Sequence, residues 1–556
     1  MKSYINKILL LVFVLSTQLA CVEEDFLNEN PLDFFSTGNS FVTFENYQGA
    51  LIDMYAQVRT FTADENGFSA HMYGTDIMIN ARRIADGLRW GNYSVSLNPT
   101  SGLPLFHWNS MYKLITSANS IIDRLQDNTV LTANEKQSID AEARFFRALG
   151  YRNLVYIFGG VPLLLNEVTS PRTDFERAAR EEVIAQIEAD LLIASQNLPS
   201  IGAVADGRLS NLAAFHLLTE IYIAQQKWDL AIGAASQVID DPNTALMTNR
   251  FGSMANQPGD VFYDLFRVGN QNRSSGNREA IWVGQYELDI LGGGLSSTGI
   301  SGRIFERNHA PAVFTLTDPD GRLGSLGSRS TLNAGGRGVS FMRPTAYMEQ
   351  TIWESDFDND IRNSRFNYVR DFIYDNPNSV WYDSSLVKYP SRNYLAEKWR
   401  WYPYITKVTT PGQHPANLIA NAETLLLTNG AGSTYTDHYY MRLSETYLLR
   451  AEAYLGRGDL ANAAADINQV RNRANATPIS AGDVTIDYIL DERARELCFE
   501  ETRRLTLTRV GKLVERVRVH NDLNNSNILD HHNLWPIPIR EIEANINGNL
   551  TQNPGY

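Results

Sequence analysis

Two distant stretches of the chain share one spacing. The first, TEIYIAQQKWDLAIGAASQVI, sets Tyr222, Ala231, Ala235 and Val238 nine, four and three residues apart. The second, AEAYLGRGDLANAAADINQVR, sets Tyr454, Ala463, Ile467 and Val470 at the same steps. Steps of four and three residues keep side chains on one helix face. Each stretch therefore reads as a helix, a tight turn and a second helix, with an aromatic on the first helix and small residues on the second that allow close packing. One such pair cannot bury its apolar face alone, so the spacing demands a stack of pairs.

This is the tetratricopeptide pattern, and other segments supply candidates for further pairs. In FENYQGALIDMYAQV, Phe44, Tyr47, Leu51, Met54, Tyr55 and Val58 recur at helical steps. In KQSIDAEARFFRALGYRNLVYIF, Ile139, Ala143, Phe146, Leu154 and Ile157 trace one face, ahead of Gly159, Gly160 and Pro162, which punctuate a helix end. A helix over 108–124 and others over Asp174–Asn197, Asn211–Gln225 and after Lys227 follow from the same reasoning. The expected fold is mainly α: one domain over 44–556, with a tetratricopeptide-type scaffold over 44–244 and 440–556. Trp108 and Trp228 fall on its helices and are expected in the core.

Between 245 and 439 the periodicity fades into Gly-, Asn-, Ser- and Pro-rich sequence such as LGGGLSSTGISGR. Five of the nine tryptophans fall here: Trp282, Trp353, Trp381, Trp399 and Trp401. Long irregular segments in a compact domain are either functional or disordered, and this aromatic content argues against disorder. The reading is a loop-rich elaboration with short strands, one of them carrying Trp399 and Trp401.

The N-terminus carries Lys2 and Lys7, then the apolar run ILLLVFVL, which is too short to span a bilayer and has signal-peptide length. Small and apolar residues lead to Cys21, so residues 1–20 resemble a lipoprotein signal peptide, with Cys21 lipidated and 21–43 a tether. The other cysteine, Cys498, lies on an apolar helical stripe and reads as a small buried hydrophobe. A net charge of −14 without a basic block speaks against a nucleic-acid partner.

No nucleophile elbow, HExxH, phosphate loop or CxxC is present. DFDND, with Asp356, Asp358 and Asp360, imitates the start of a calcium loop, but Ile361 and Asn367 stand where Gly and Glu are needed. It reads as a solvated acidic turn. What remains is aromatic and amide-rich loop chemistry, suited to sugars: rings stack on C–H faces, and Asn, Asp and Arg reach hydroxyls. ADGLRWGNYS, with Trp90 between Arg89 and Asn92, is the best local example, although Trp90 could equally plug the loop onto the scaffold.

Several segments together resemble the SusD/RagB family of outer-membrane nutrient-binding lipoproteins. They are Cys21 followed by DFLNENP, AEARFFRALGYRNLVYIFGGVPLL, RLSETYLLRAEAYLGRGDLANAAADINQVRNRA, DERARELCFEETRRLTLTRVGKL and the closing LWPIPIREIEANINGNLTQNPGY. The resemblance implies a non-catalytic, cofactor-free lipoprotein, lipid-anchored in the outer membrane and facing the exterior. It would capture an oligosaccharide and pass it to a SusC-like TonB-dependent transporter; some members of the family bind peptides instead. It implies loop residues as ligand contacts, with Asp76, Trp90 and Asn92 in one loop. Tyr286, Trp353, Trp381 and Tyr382 are candidates from the elaboration on residue type. The closing segment matches the family's common frame, so Trp535 is expected to pack and close the scaffold.

Overall fold

The computed structural model describes residues 40–82, 88–290, 303–326, 336–392, 396, 398–423, 426–428 and 431–556. The predicted signal peptide, Cys21 and nearly all of the tether lie outside them. Helix α1 (Phe44–Ala63) starts where the Thr43 hydroxyl accepts from the Asn46 amide and the Asn46 side chain reaches back to the Thr43 amide. Ser101 caps α2 (Gly102–Gln126). The Thr132–Glu135 capping box opens α3 (Ala133–Phe158), and Gly159 ends it at φ 73°. Helices α4 (Arg180–Asn197), α5 (Asn211–Ala224) and α6 (Trp228–Ile239) follow. Past the elaboration come α7 (Leu443–Arg457), α8 (Leu460–Arg473), α9 (Ile486–Leu497), α10 (Arg503–Arg509) and α11 (Leu513–His520).

Helix α4 begins six residues later than the periodicity suggests. The stretch before it is extended because the end of the chain claims its backbone: the Phe175 amide donates to Asn545 Oδ1 (2.7 Å), and the Asn547 amide to the Thr173 carbonyl (2.8 Å).

Each helix from α2 to α8 packs on the next, and this includes α6 on α7, which are separated in sequence by the whole elaboration. The elaboration is thus an insertion between two repeat units that stack directly. At their junction Gly456 faces the Trp228 ring, and a Cβ there would stand 2.7 Å from it, so only glycine allows this approach. Strands β2 (Ala280–Gly284) and β8 (His438–Arg442) pair antiparallel and hold the two ends of the insertion together. Every residue of β2 is buried, with the Trp282 ring 4.4 Å from Tyr440 and 5.6 Å from Phe145. The other strands form two-stranded antiparallel pairs: β1 (Met78–Asn80) with β3 (Met342–Pro344), β4 (Tyr368–Val369) with β5 (Tyr404–Ile405), and β6 (Ile419–Asn421) with β7 (Leu426–Leu427). Trp399 and Trp401 are not on a strand as expected. A 3-10 turn over Lys398–Arg400 carries Trp399, and the strand begins only at Tyr404.

Buried ion pairs bind the insertion to the scaffold. Arg442 reaches Glu279, Glu496 and Glu500, each at 2.7 Å. Arg362 reaches Asp360 (2.6 Å), Glu492 (2.7 Å) and Glu496 (3.1 Å). Arg471 joins Glu492 to Asp356. DFDND is therefore not a solvated turn: Asp356 and Asp360 are buried, each salt-bridged to an arginine. Buried ions are costly to desolvate and tolerable only with full pairing, which explains why α9 reads DERAREL: its Glu492, Arg493, Arg495 and Glu496 all take part. Cys498, at the end of α9, is buried, and burial pushes its thiol up to about 12, so it behaves as the inert apolar residue expected.

Candidate ligand-binding face

The loop between α1 and α2 is built from strained backbone. Gly74 has φ 67°, and a Cβ there would meet Trp90 Cβ at 3.0 Å. Arg89 (φ 48°) and Trp90 (φ 62°) are consecutive non-glycine residues in the left-handed region, a conformation that costs of order 1 kcal/mol or more each and persists only when its surroundings enforce it. Here the C-terminal quarter of the chain enforces it. Asn524 Nδ2 donates to the Trp90 carbonyl (2.8 Å), and the Tyr93 amide to Asn527 Oδ1 (3.2 Å). The Trp90 ring is sandwiched into the core, with the Arg504 guanidinium 3.7 Å above it and the Trp535 ring 5.5 Å away.

The kink sends Arg89 the other way. Its guanidinium sits 3.7 Å from the Phe341 ring centre and pairs with Glu65. Arg82, beyond β1, lies 4.6 Å from the same ring and 4.9 Å from Trp399. Arg400 lies 4.6 Å from the Trp399 ring. Two half-buried rings and three guanidiniums thus form a shelf, which the β1–β3 pairing fixes because Phe341 immediately precedes β3. Burial, then the charges of Arg89 and Arg400, lower the pKa of Arg82. Beside the shelf opens a cavity of about 500 Å³ lined by Glu65, Tyr73, Arg89, Trp90, Leu103 and Phe106 among others. Tyr73 is 1% exposed, and its hydroxyl has no hydrogen-bond partner of good geometry among the described residues. Burial and then Glu65 raise its pKa, with Arg89 opposing.

The residues singled out from sequence lie in several places. Asp76 is fully buried and gripped by Arg503 (2.6 Å) and Arg516 (2.7 Å). Burial alone would raise its pKa, but the two guanidiniums outweigh it and hold the carboxyl well below the usual range. It is a structural anion with no surface to offer a ligand. Trp90, 2% exposed, is among the residues lining the cavity but is mainly a core plug. Asn92 caps the short helix Tyr93–Ser96 through Val95. Tyr286 is buried and donates to the Arg59 carbonyl (2.9 Å). Trp353 is buried and donates to the Met348 carbonyl (2.9 Å). For Asp76, Tyr286 and Trp353, burial replaces the expected ligand contact. Trp381 is half-buried beside Tyr389, with its indole N–H on Asp320, and Tyr382 is 48% exposed. Neither has a ring or hydrogen-bond contact with the shelf among the described residues.

Sequence reasoning missed Arg82, Phe341 and Tyr73. Nothing local marks them, since β1–β3 pairing joins segments far apart in sequence. Trp399 was read as strand packing, and Arg89 only as a neighbour of Trp90.

The described residues contain no group of three or more side chains able to hold a metal ion and no helix long and apolar enough to cross a membrane. The SusD family model matches residues 279–556, and a second model, "Starch-binding associating with outer membrane", matches residues 25–223. The chain belongs to the SusD family. The SusD-like protein P25 of Formosa agariphila is 25% identical over 97% of both chains. The starch-binding protein SusD of Bacteroides thetaiotaomicron is 38% identical over 125 residues, 22% of each chain. Among solved structures, a SusD homologue from B. thetaiotaomicron superimposes with a TM-score of 0.68 at 21% identity, covering 93% of this chain and 98% of that one. A laminarin-binding SusD-like protein does so with 0.66 at 23%, covering 92% and 99%. The mainly helical, tetratricopeptide-type fold expected from the repeats is thus the fold found, and it is the SusD fold that the resemblance implied.

Proposed function

We propose that this SusD-family protein is a non-catalytic, glycan-binding lipoprotein of the outer membrane. It is anchored through Cys21, faces the exterior and delivers its oligosaccharide to a SusC-like TonB-dependent transporter. The observation that carries the binding role is the Phe341–Trp399 shelf with its guanidiniums, set beside an open cavity. Flat rings offer sugar C–H faces a stacking surface, and planar N–H forks address the oxygens around the rim. The names of relatives that bind starch and laminarin support the ligand class. Trp381 and Tyr382 are accessible enough to make a secondary contact.

Electrophoresis of the full-length protein through native gels containing single polysaccharides tests this. At least one glycan should retard the protein, and Phe341→Ala or Trp399→Ala should abolish the retardation. Indifference to every glycan, with calorimetric binding of peptides, would overturn it. Cys21→Ser should release the protein from membranes; retention there would refute the anchor.

A further inference from the structure

We infer that the core encloses a second binding site, for a small neutral molecule with an apolar body and one hydroxyl, of the phenol class. It lies apart from the shelf and shares no wall residue with the cavity beside it.

The site is a cavity of about 100 Å³ at the junction of scaffold and insertion. By the ~10–15 Å³ that a water needs, it has room for roughly seven to ten waters. That excludes an oligosaccharide and admits one compact ring. Half of its wall is apolar: Val58 and Phe61 from α1, Met111 and Leu114 from α2, Phe68, and Trp282 from β2. A water needs about two to four polar partners, so water alone would fill this half poorly. Small-molecule sites have this composition, apolar walls with a few placed polar groups.

The other half of the wall is charged, but its charges are spent. Arg152 pairs with Glu220 (2.6 Å), Glu445 with Arg493 (2.6 Å), Glu500 with Arg442 (2.7 Å) and Glu501 with Arg493 (2.7 Å). Burying a charge without a partner is costly, and each lining carboxylate and guanidinium is already paired. The ligand is therefore neutral.

Two polar atoms in the wall remain open. Gln57 Nε2 donates to Asp53 Oδ2 (2.7 Å) and Ser117 Oγ (3.1 Å), which fixes the amide, while its Oε1 has no hydrogen-bond partner among the described residues. His438 lines the cavity at 2% exposure, and its Nε2 has no partner either. Buried polar groups are nearly always bonded, so these two call for a ligand atom. Burial, then Arg303, lowers the pKa of His438, so its ring is neutral and can donate or accept. The more deeply buried His438 is the anchor. A hydroxyl, donor and acceptor at once, meets it while the ligand's body packs on the rings of Phe61, Phe68 and Trp282.

Trp282 and Tyr440 also wall an outer cleft of about 180 Å³ that includes Ile52, 57% exposed. Tyr440 is half-buried and accepts from the Thr62 hydroxyl (3.2 Å). Its ring stands between cleft and cavity, and a turn of that ring gives the ligand its way in.

The test uses the full-length protein with phenol and benzene, which share one ring and differ by the hydroxyl. Calorimetry should show one phenol site, with benzene at least about tenfold weaker. Saturating phenol should raise the melting temperature by about 2 °C or more. Ser110, in α2, lines the cavity: Ser110→Leu should fill the space and abolish binding, and Ser110→Ala should keep it. His438→Phe keeps a ring among Phe68, Phe305 and Tyr440 and removes the open nitrogen. It should cost about tenfold for phenol and leave benzene unchanged. Circular dichroism checks the fold of each variant, and His438→Phe carries the test if Ser110→Leu does not fold. Absence of phenol binding, equal affinity for phenol and benzene, or phenol binding indifferent to His438→Phe overturns the inference. Glycan retardation should be untouched by His438→Phe; its loss would overturn the separateness of the two sites.

Discussion

Arginines occupy two contrasting settings in this protein. In the junction between scaffold and insertion, Arg362, Arg442, Arg471 and Arg473 are almost completely buried, and each meets two or more carboxylates. On the loop face, Arg82, Arg89 and Arg400 lie on rings, and Arg89 also pairs with Glu65. The first setting is internally neutralised and therefore rigid. The second lies on half-buried rings at the loop face, where the proposed ligand would meet it. One side-chain type serves as mortar in one place and as a ring-stacked surface group in the other.

The contrast can be broken most severely from inside. Glu496→Leu would take one carboxylate at once from Arg362, Arg442 and Arg473. Removing one partner of a buried pair costs about 3–5 kcal/mol, and chemical denaturation should register at least that loss, since three arginines share this carboxylate. Trp535→Ala comes next. Trp535 is 1% exposed among Trp90, His107 and Phe158, and such truncations cost about 3–5 kcal/mol. Deleting Leu534–Tyr556 should prevent folding outright, as circular dichroism would show. A truncated protein that stays folded would refute the assignment of this segment as the scaffold's closure.

Acid should attack the same network and spare the shelf's cations. Burial alone would raise the Glu492 carboxyl, but Arg362, Arg495 and Arg471 outweigh it and bring it from 4.5 down to about 2. A carboxyl depressed on folding contributes stability that is present above its unfolded value and lost as pH falls through the folded one. Thermal stability should thus hold down to about pH 4.5 and decline steeply towards pH 2. The smallest effect on stability is expected at the face. Arg82→Gln, at an exposed residue, should shift unfolding by no more than about 0.5 kcal/mol. A large loss of stability there would erase the distinction between the two settings.

The repeats were legible because helix packing writes a short-range period: the spacing of Tyr222 to Val238 and of Tyr454 to Val470 predicts helices that are found at Asn211–Ile239 and Leu443–Arg473. The packing role of Trp535 was legible too, from the resemblance of the closing segment to the family's common frame. The ligand face was not, because its parts meet through pairings that leave no local trace. Asp76 and Trp90 lie in the right loop, but their side chains turn inward to arginines more than four hundred residues away in sequence, Arg503 and Arg504. Residue type alone cannot tell a tryptophan that stacks on sugar from one that stacks on Arg504. Trp353 and Tyr286 misled for the same reason, since their polar edges are satisfied by backbone carbonyls inside the protein.

The strained turn at Arg89 and Trp90 has a consequence for how the protein is made. Its braces, Arg504, Asn524, Asn527 and Trp535, lie more than four hundred residues after the turn and are synthesised long after it. A chain emerging N-terminus first can form α1 early but cannot hold Arg89 on Phe341 until its far end has arrived. Contacts of such long sequence separation form late. A chain that stops short, or is clipped near its end, would lose the face without any damage to the face's own residues. Competence to bind thus doubles as a report that these distant braces are in place.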